Sequence, residues 1–398
     1  MSAALLEAEP TTDLAPVGVV ETVRPSPEPR NPSMIRRGLR AIGWTTVRGI
    51  GLVMLLVGLA ILSTLPLLQF AVLGYLLEAA RRASMPNGLR RALPGVAEAS
   101  HVGIGVIVSL IFLLPVWILA DRAFAATLLA PGTEIERGAI RAAAVMRWLV
   151  GIHLVVAWLK GGRLRDLLQP WASAWWMLKA IFRPSIVATR VRAVVDAANA
   201  EGFLKIWWLG VRGYVGSLLW LAPGSLCLAA GRNHPLVGIL GVVLLLIAIY
   251  HLPFLQVHFA RTGRLSAFLE RREVRRLAKN APLLRLVATL FAVALALPLY
   301  GFKIEPLPAG LWWLAALFFV GLMAPAKIFA GLAMGIADRR AKPAWLMWRV
   351  PCWLLMMPVG LIYIGVLFLT PYVGWNGALG MLLEQHAFLL PAPLGPIQ

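Results

Sequence analysis

The chain has 398 residues, 60% of them apolar and 14% charged, with a mean hydropathy of +0.77 and a formal charge of +20. Soluble globular domains carry about 25% charged residues, so this composition excludes that class and points to a membrane protein. The positive charge does not indicate nucleic acid, because the basic residues lie between apolar runs rather than on a soluble fold or a reading element. Cys227 and Cys352 both fall inside apolar runs, as small hydrophobes do, and neither suggests a disulfide framework or a metal site.

In chain order, residues 1–33 hold Pro10, Pro16, Pro25, Pro27, Pro29 and Pro32 with acids and few large apolar groups, the composition of a disordered tail. Glu7, Glu9 and Asp13 interrupt what a signal peptide would need, so insertion is expected to rely on the first internal helix. Met34 to Arg48 turns basic and helical. Gly49 to Leu77 is apolar over 29 residues with Pro66 inside it, which predicts a crossing helix to about Thr64 and a second, shorter helix ending at Arg81 and Arg82. Further spans are expected at Val102 to Ala120, Ala142 to Leu159, Gly213 to Ala230, Leu236 to Leu255, Leu286 to Tyr300, Leu311 to about Pro325 with an apolar extension to Ala337, and Val350 to Thr370. Only Gly231 to Pro235 join the fourth and fifth spans, so those helices must be antiparallel neighbours.

The spans sort the basic residues. With the N-terminus cytoplasmic, that side receives 32 of the 38 Lys and Arg, from the N-terminal region, 81–101, 160–212, 256–285 and 326–349; the other side receives 6. Such a bias is the positive-inside pattern, and it leaves residues 374–398, a tail without Lys or Arg, outside. It also requires the stretch 49–80 to enter and return, since both of its ends are basic.

Leu-Pro-x-Leu-Gln occurs twice, at Leu65 to Gln69 and Leu252 to Gln256. Each copy is followed by a glycine (Gly74, Gly263) and an arginine pair (Arg81 and Arg82, Arg271 and Arg272), and Ala324 to Ala341 forms a looser third copy. Paired broken helices point to binding sites in transporters. Equally, proline and arginine suit any helix exit on the basic side, where proline would end the span and Gln256 would meet the head groups. Copies two and three leave on the cytoplasmic side, but Pro66 falls at the opposite face unless copy one is a returning hairpin.

Intramembrane polar residues are the natural functional candidates in such a chain. Gln69, Glu78, Asp121, Gln256 and Lys327 qualify by position; Glu78, Asp121 and Gln256 fall at span ends, and Lys327, just beyond Pro325, is expected to snorkel to the interface. His251 and His258 are seven apart without a carboxylate or cysteine at ligand spacing, and there is no Walker loop, nucleophile elbow or paired-Asp motif, so no metal, cofactor or catalytic residue is expected. Gly210, Gly213 and Gly216, and Gly331 and Gly335, have spacings that let helices approach closely. The tryptophans cluster near span ends, as interface anchors do. In the basic loop 256–285, Leu265, Phe268, Leu269 and Leu277 oppose Arg264, Arg271, Arg272, Arg275 and Arg276, the pattern of a helix lying in the interface against anionic lipid head groups.

At "GGRLRDLLQPW" (Gly161 to Trp171), "WWLGVRGYVGSLLWL" (Trp207 to Leu221) and "LPFLQVHFARTGRLSAF" (Leu252 to Phe268), the chain resembles bacterial polytopic membrane proteins classed only as domains of unknown function. The resemblance covers about half the chain; it implies a helical membrane domain and brings no reaction or site residues. The expected architecture is therefore an all-α polytopic bundle of about eight transmembrane helices over 34–373, with basic interfacial helices in 160–212 and 256–285. The expected role is a non-enzymatic, multi-pass inner-membrane protein that organises anionic lipid or membrane-protein partners, with no nucleic acid; the alternative is a small-solute transporter using proline-broken helices.

Overall fold

The computed structural model describes residues 34–183, 185–200, 202–301, 311–373, 377–383 and 385–389. The expected disordered tail 1–33 and Lys303 lie outside the described residues. Residues up to Thr45 form a unit of their own, and the packing described here is that of Thr46 onward.

The described residues form fourteen α-helices and no strand. They are α1 (Met34–Thr64), α2 (Gln69–Ala83), α3 (Val96–Leu129), α4 (Glu134–Leu159), α5 (Leu164–Leu168), α6 (Pro170–Phe182), α7 (Ser185–Ala200), α8 (Phe203–Ala230), α9 (Pro235–Thr262), α10 (Arg271–Asn280), α11 (Pro282–Gly301), α12 (Trp312–Arg339), α13 (Leu346–Val373) and α14 (Gly377–Leu383). Eight of these, α1, α3, α4, α8, α9, α11, α12 and α13, are long and apolar enough to cross a membrane. The chain is thus an all-helical, multi-pass membrane protein. Its spans carry large exposed apolar side chains, such as Trp117, Leu129, Trp148 and Leu236, which suits a hydrocarbon solvent better than water.

The helix ends depart from the apolar runs for identifiable reasons. α1 stops at Thr64 because the residue before a proline is pushed out of the helical region and Pro66 has no N–H to give. The bend at Leu65 to Leu68 holds Leu67 in the left-handed region (φ 67), a costly conformation for a leucine, and Trp207 Nε1 donates to its carbonyl at 2.8 Å. α9, by contrast, does not end at Pro253. It continues through Gln256 to Thr262, where Gly263 (φ 68) supplies the left-handed cap. α12 likewise passes through Pro325 to Arg339. The expectation that these two prolines break their spans is corrected: with no competing water, a helix interior keeps its remaining backbone bonds around a proline.

Glycine sets the close contacts. Gly331 and Gly335 lie against the carbonyls of Ala80 and Ser84, so α2 and α12 touch backbone to backbone and run in the same direction. Gly74 meets the Ile206 carbonyl and Gly210 the Phe70 carbonyl, a backbone contact of α2 with α8, and Gly224 and Gly241 bring α8 close to α9, which is antiparallel to it across the turn at Gly231 to His234. α9 also runs with α12: Gln256 meets Lys327 and Arg261 meets Asp338. α2 at 15 residues is too short to be one of the eight spans, yet most of it is buried among α8, α9 and α12. Because α2, α9 and α12 run one way, their arginine-bearing ends share one end of the bundle. The orientation conflict expected between the repeat copies therefore does not arise. The second packed group is α3 against α4, closed by the Thr133 cap and by Trp158 Nε1 donating to Ser109 Oγ at 3.2 Å.

Candidate functional site

Two places gather polar chemistry within this apolar frame. The first is inside the bundle. Lys327 on α12 is 7% exposed and donates to Gln256 Oε1 on α9 and to the Ala387 carbonyl at 3.2 Å. Gln256, 1% exposed, donates in turn to Ser217 Oγ on α8 and to the Phe388 carbonyl, each at 2.7 Å. Of the stretch 374–398, expected as a tail, residues 377–383 form α14 and Gln385 to Leu389 are buried in the bundle, Gln385 donating to Ser225 Oγ at 2.6 Å. The snorkelling expected for Lys327 and the head-group contact expected for Gln256 are both corrected. Each side chain finds polar partners inside, so neither needs the interface. Gln69 does not join them. The register of Gly331 on Ala80 and Gly335 on Ser84 puts Lys327 at the level of Leu76, about two helical turns from Gln69, which is half-buried at the start of α2.

The second place is a cavity of about 610 Å³ between α9, α10, α11 and α13. Its apolar wall includes Leu246, Ile247, Trp353 and Met356, and its basic wall is Arg271, Arg275, Lys279, Arg285 and Arg349. Among the described residues, no carboxylate lines it. α10 builds this wall through its amphipathic pattern: Val274, Leu277 and Ala278 are buried, while Arg271, Arg272, Arg275 and Arg276 are exposed. Of the four candidate arginines, then, Arg271 and Arg275 face the cavity. Arg276 is bound to Glu273 at 2.5 Å, an exposed pair that raises the affinity of its guanidinium for a proton, and Arg272 is exposed outside the lining. Arg285 is 3% exposed, donates to the Tyr250 carbonyl and lies over the Tyr250 ring at 3.4 Å from its centroid. Its Nε and the hydroxyl of Thr289, another lining residue, have no hydrogen-bond partner among the described residues.

The two histidines spaced seven apart are engaged separately: His251 Nδ1 faces the Ile247 carbonyl at 2.8 Å, and His258 Nε2 meets Glu270 at 2.7 Å. Among the described residues no three His, Cys, Asp or Glu side chains converge as metal ligands. Glu78 sits not in a cavity but beneath Arg81 and Arg82, which it binds at 2.6 and 2.7 Å. Burial alone would raise its pKa, and the two guanidiniums outweigh that, holding its carboxyl below the usual range.

Sequence reasoning did not single out Arg285, Arg349, Lys279, Ser217 or Gln385. An arginine set between apolar Pro282 to Leu284 and the expected span from Leu286 was a readable sign for Arg285; nothing local marked the others.

Residues 184–305 match a family described as "Protein of unknown function (DUF4013)". The matched stretch takes in α7 to α11, with Gln256, Arg285 and the arginines of α10, and leaves out Lys327 and Arg349. This agrees with the resemblance to uncharacterised membrane proteins. Comparison with the curated proteins and with the solved structures found no match.

Proposed function

We propose that this protein is a non-enzymatic component of a bacterial inner membrane that gathers anionic lipid at the basic end of its bundle. That end faces the cytoplasm, with the N-terminus on the same side. One observation carries the reading: α10 buries an apolar face while turning four arginines outward, three of which, Arg271, Arg272 and Arg275, have no carboxylate partner among the described residues. Arg81 and Arg82, Arg261, and Arg339 and Arg340 lie at the same end. Basic residues near an anionic leaflet are worth about 1 kcal/mol each, so such a cluster favours anionic neighbours strongly. Removing the interior Lys327 from the charge count leaves 31 basic residues against 6, a bias that still supports this orientation.

The transporter alternative calls for a polar cavity at mid-depth near Pro66, Pro253 and Pro325. The cluster around Lys327, between Pro253 and Pro325, is filled by Gln256 and Gln385 to Leu389, which weighs against that alternative, although the basic cavity reaches Tyr250 and His251 close to Pro253. Partner membrane proteins would use the same basic end. The test is reconstitution of the full chain in bilayers of mixed anionic and zwitterionic lipid, with the immobilised fraction of each lipid read by spin-label spectroscopy. Several-fold enrichment of the anionic lipid, declining as salt shortens the screening length, is expected. Equal immobilisation of both lipids would refute the reading.

A further inference from the structure

We propose that the cavity between α9, α10, α11 and α13 is a discrete site for one phosphate-bearing lipid, its head group held by Arg275, Arg285 and Arg349 and an acyl chain laid along Leu246, Trp353 and Met356. This rests on the reading of the basic end as an anionic-lipid face, and sharpens it from a diffuse attraction to a built site.

Four observations converge. The volume, about 610 Å³, is that of a small-molecule site rather than of a packing defect. Five cations line it and no acid among the described residues answers them; Arg275 Nε reaches only His251 Nε2 at 3.5 Å, and Arg349 Nε donates to the Ala344 carbonyl at 2.7 Å. Arg285 and Thr289 are almost fully buried and present an unused N–H and an unused hydroxyl, in a molecule where buried polar groups are otherwise mostly bonded. The amino end of α11 at Pro282 also lines the cavity, and the aligned peptide dipoles there carry positive partial charge.

Phosphate fits this donor set better than a carboxylate does. Guanidinium forks engage oxygen pairs, and several guanidiniums around one ligand need more acceptors than two carboxylate oxygens offer. The rest of the site decides between a lipid and a free anion. Inorganic phosphate would leave the Leu246, Trp353 and Met356 wall unused, whereas a lipid uses both walls. Basic pockets between spans recur as head-group sites for the same reason.

The test uses the full chain in neutral detergent and counts bound molecules by native mass spectrometry. The probes are dioctanoyl phosphatidic acid, dioctanoyl phosphatidylcholine and inorganic phosphate. One phosphatidic acid per chain is expected to bind, phosphatidylcholine weakly, and inorganic phosphate neither to bind stoichiometrically nor to displace the lipid. Arg275→Gln with Arg349→Gln should weaken binding by about tenfold for each guanidinium removed. Arg272→Gln with Arg276→Gln, which removes the same charge outside the cavity, should leave it unchanged. Met357→Trp, at a further lining residue of the apolar wall, fills that side and spares every arginine, so it should also block the lipid, and the result does not depend on Arg285 variants that fail to fold. Equal weakening by both arginine pairs would overturn the discrete site while leaving the enrichment of anionic lipid in bilayers intact. Saturation by inorganic phosphate would overturn the lipid assignment.

Discussion

Replacing Gln256 by leucine should be far more damaging than replacing Lys327 by methionine, although both remove a member of one buried pair. Leucine nearly matches glutamine in volume, so no cavity complicates the comparison. In Gln256→Leu, Lys327 loses its amide acceptor and keeps only the Ala387 carbonyl at 3.2 Å and the face of Phe388 at 5.9 Å. Leaving a buried amine short of an acceptor costs about 1 to 3 kcal/mol, more while it is charged, and the lost bonds to Ser217 and Phe388 add about 0.5 to 1.5 kcal/mol each. In Lys327→Met the interior amine itself disappears. What remains is an unanswered Gln256 oxygen, worth about 1 to 3 kcal/mol, offset by the desolvation no longer incurred, for a net loss of about 0 to 2 kcal/mol. The double variant should therefore be more stable than Gln256→Leu alone. Denaturant unfolding in mixed micelles, followed by tryptophan fluorescence, measures all four corners of the cycle. If the two losses add to within about 0.5 kcal/mol, the coupling inferred from the geometry is absent and the reasoning fails.

Gly331→Leu should destabilise the protein by about 1 to 3 kcal/mol or prevent folding, because its side chain would occupy the space of the Ala80 carbonyl, whereas Gly365→Ala, with open space around it, should be tolerated; thermal melts of the two variants decide this. Asp338→Asn should cost less than about 1 kcal/mol, since the Arg261 pair is about one-third exposed and screened, and a larger loss would mean that the contact is structurally central. Glu78 has a depressed folded-state pKa, so its contribution is complete above the ordinary value of 4.5 and is lost as pH falls through the lower folded value. Glu78→Gln should flatten the dependence of melting temperature on pH in that acid range, and an unchanged slope would show that other carboxylates set it.

The eight spans were legible because an uninterrupted apolar run of about twenty residues matches the thickness of a bilayer core and exceeds what a buried soluble helix needs. Their ends were not, since residues such as Arg261 and Arg339 read as loop yet continue the helix under tertiary support. Pro66 and Pro253 show the limit of local rules: the same Leu-Pro-x-Leu-Gln string ends a helix at Thr64 and is carried through at Gln256. Packing makes the difference, with the bend at Leu67 exposed and the stretch around Pro253 enclosed by neighbouring spans. The Gln256 and Lys327 pair was legible residue by residue but not as a pair. Seventy-one positions separate the two, and their meeting depends on an interhelix register that no local pattern encodes. The basic half of the cavity was partly visible as the arginine face of α10. Arg349 comes from a distant helix, and only the assembled bundle brings it there.

Gln385 to Leu389 supply two of the backbone oxygens that satisfy Gln256 and Lys327, and they follow all eight spans in the chain. During synthesis, then, the interior amine and amide are inserted well before their last acceptors exist. Until Gln385 to Leu389 pack against Ser225, Gln256 and Lys327, that interior lacks these acceptors. The polar interior is thus closed by a stretch far along the chain from the residues it serves, and without that stretch one lysine and one amide would be short of acceptors.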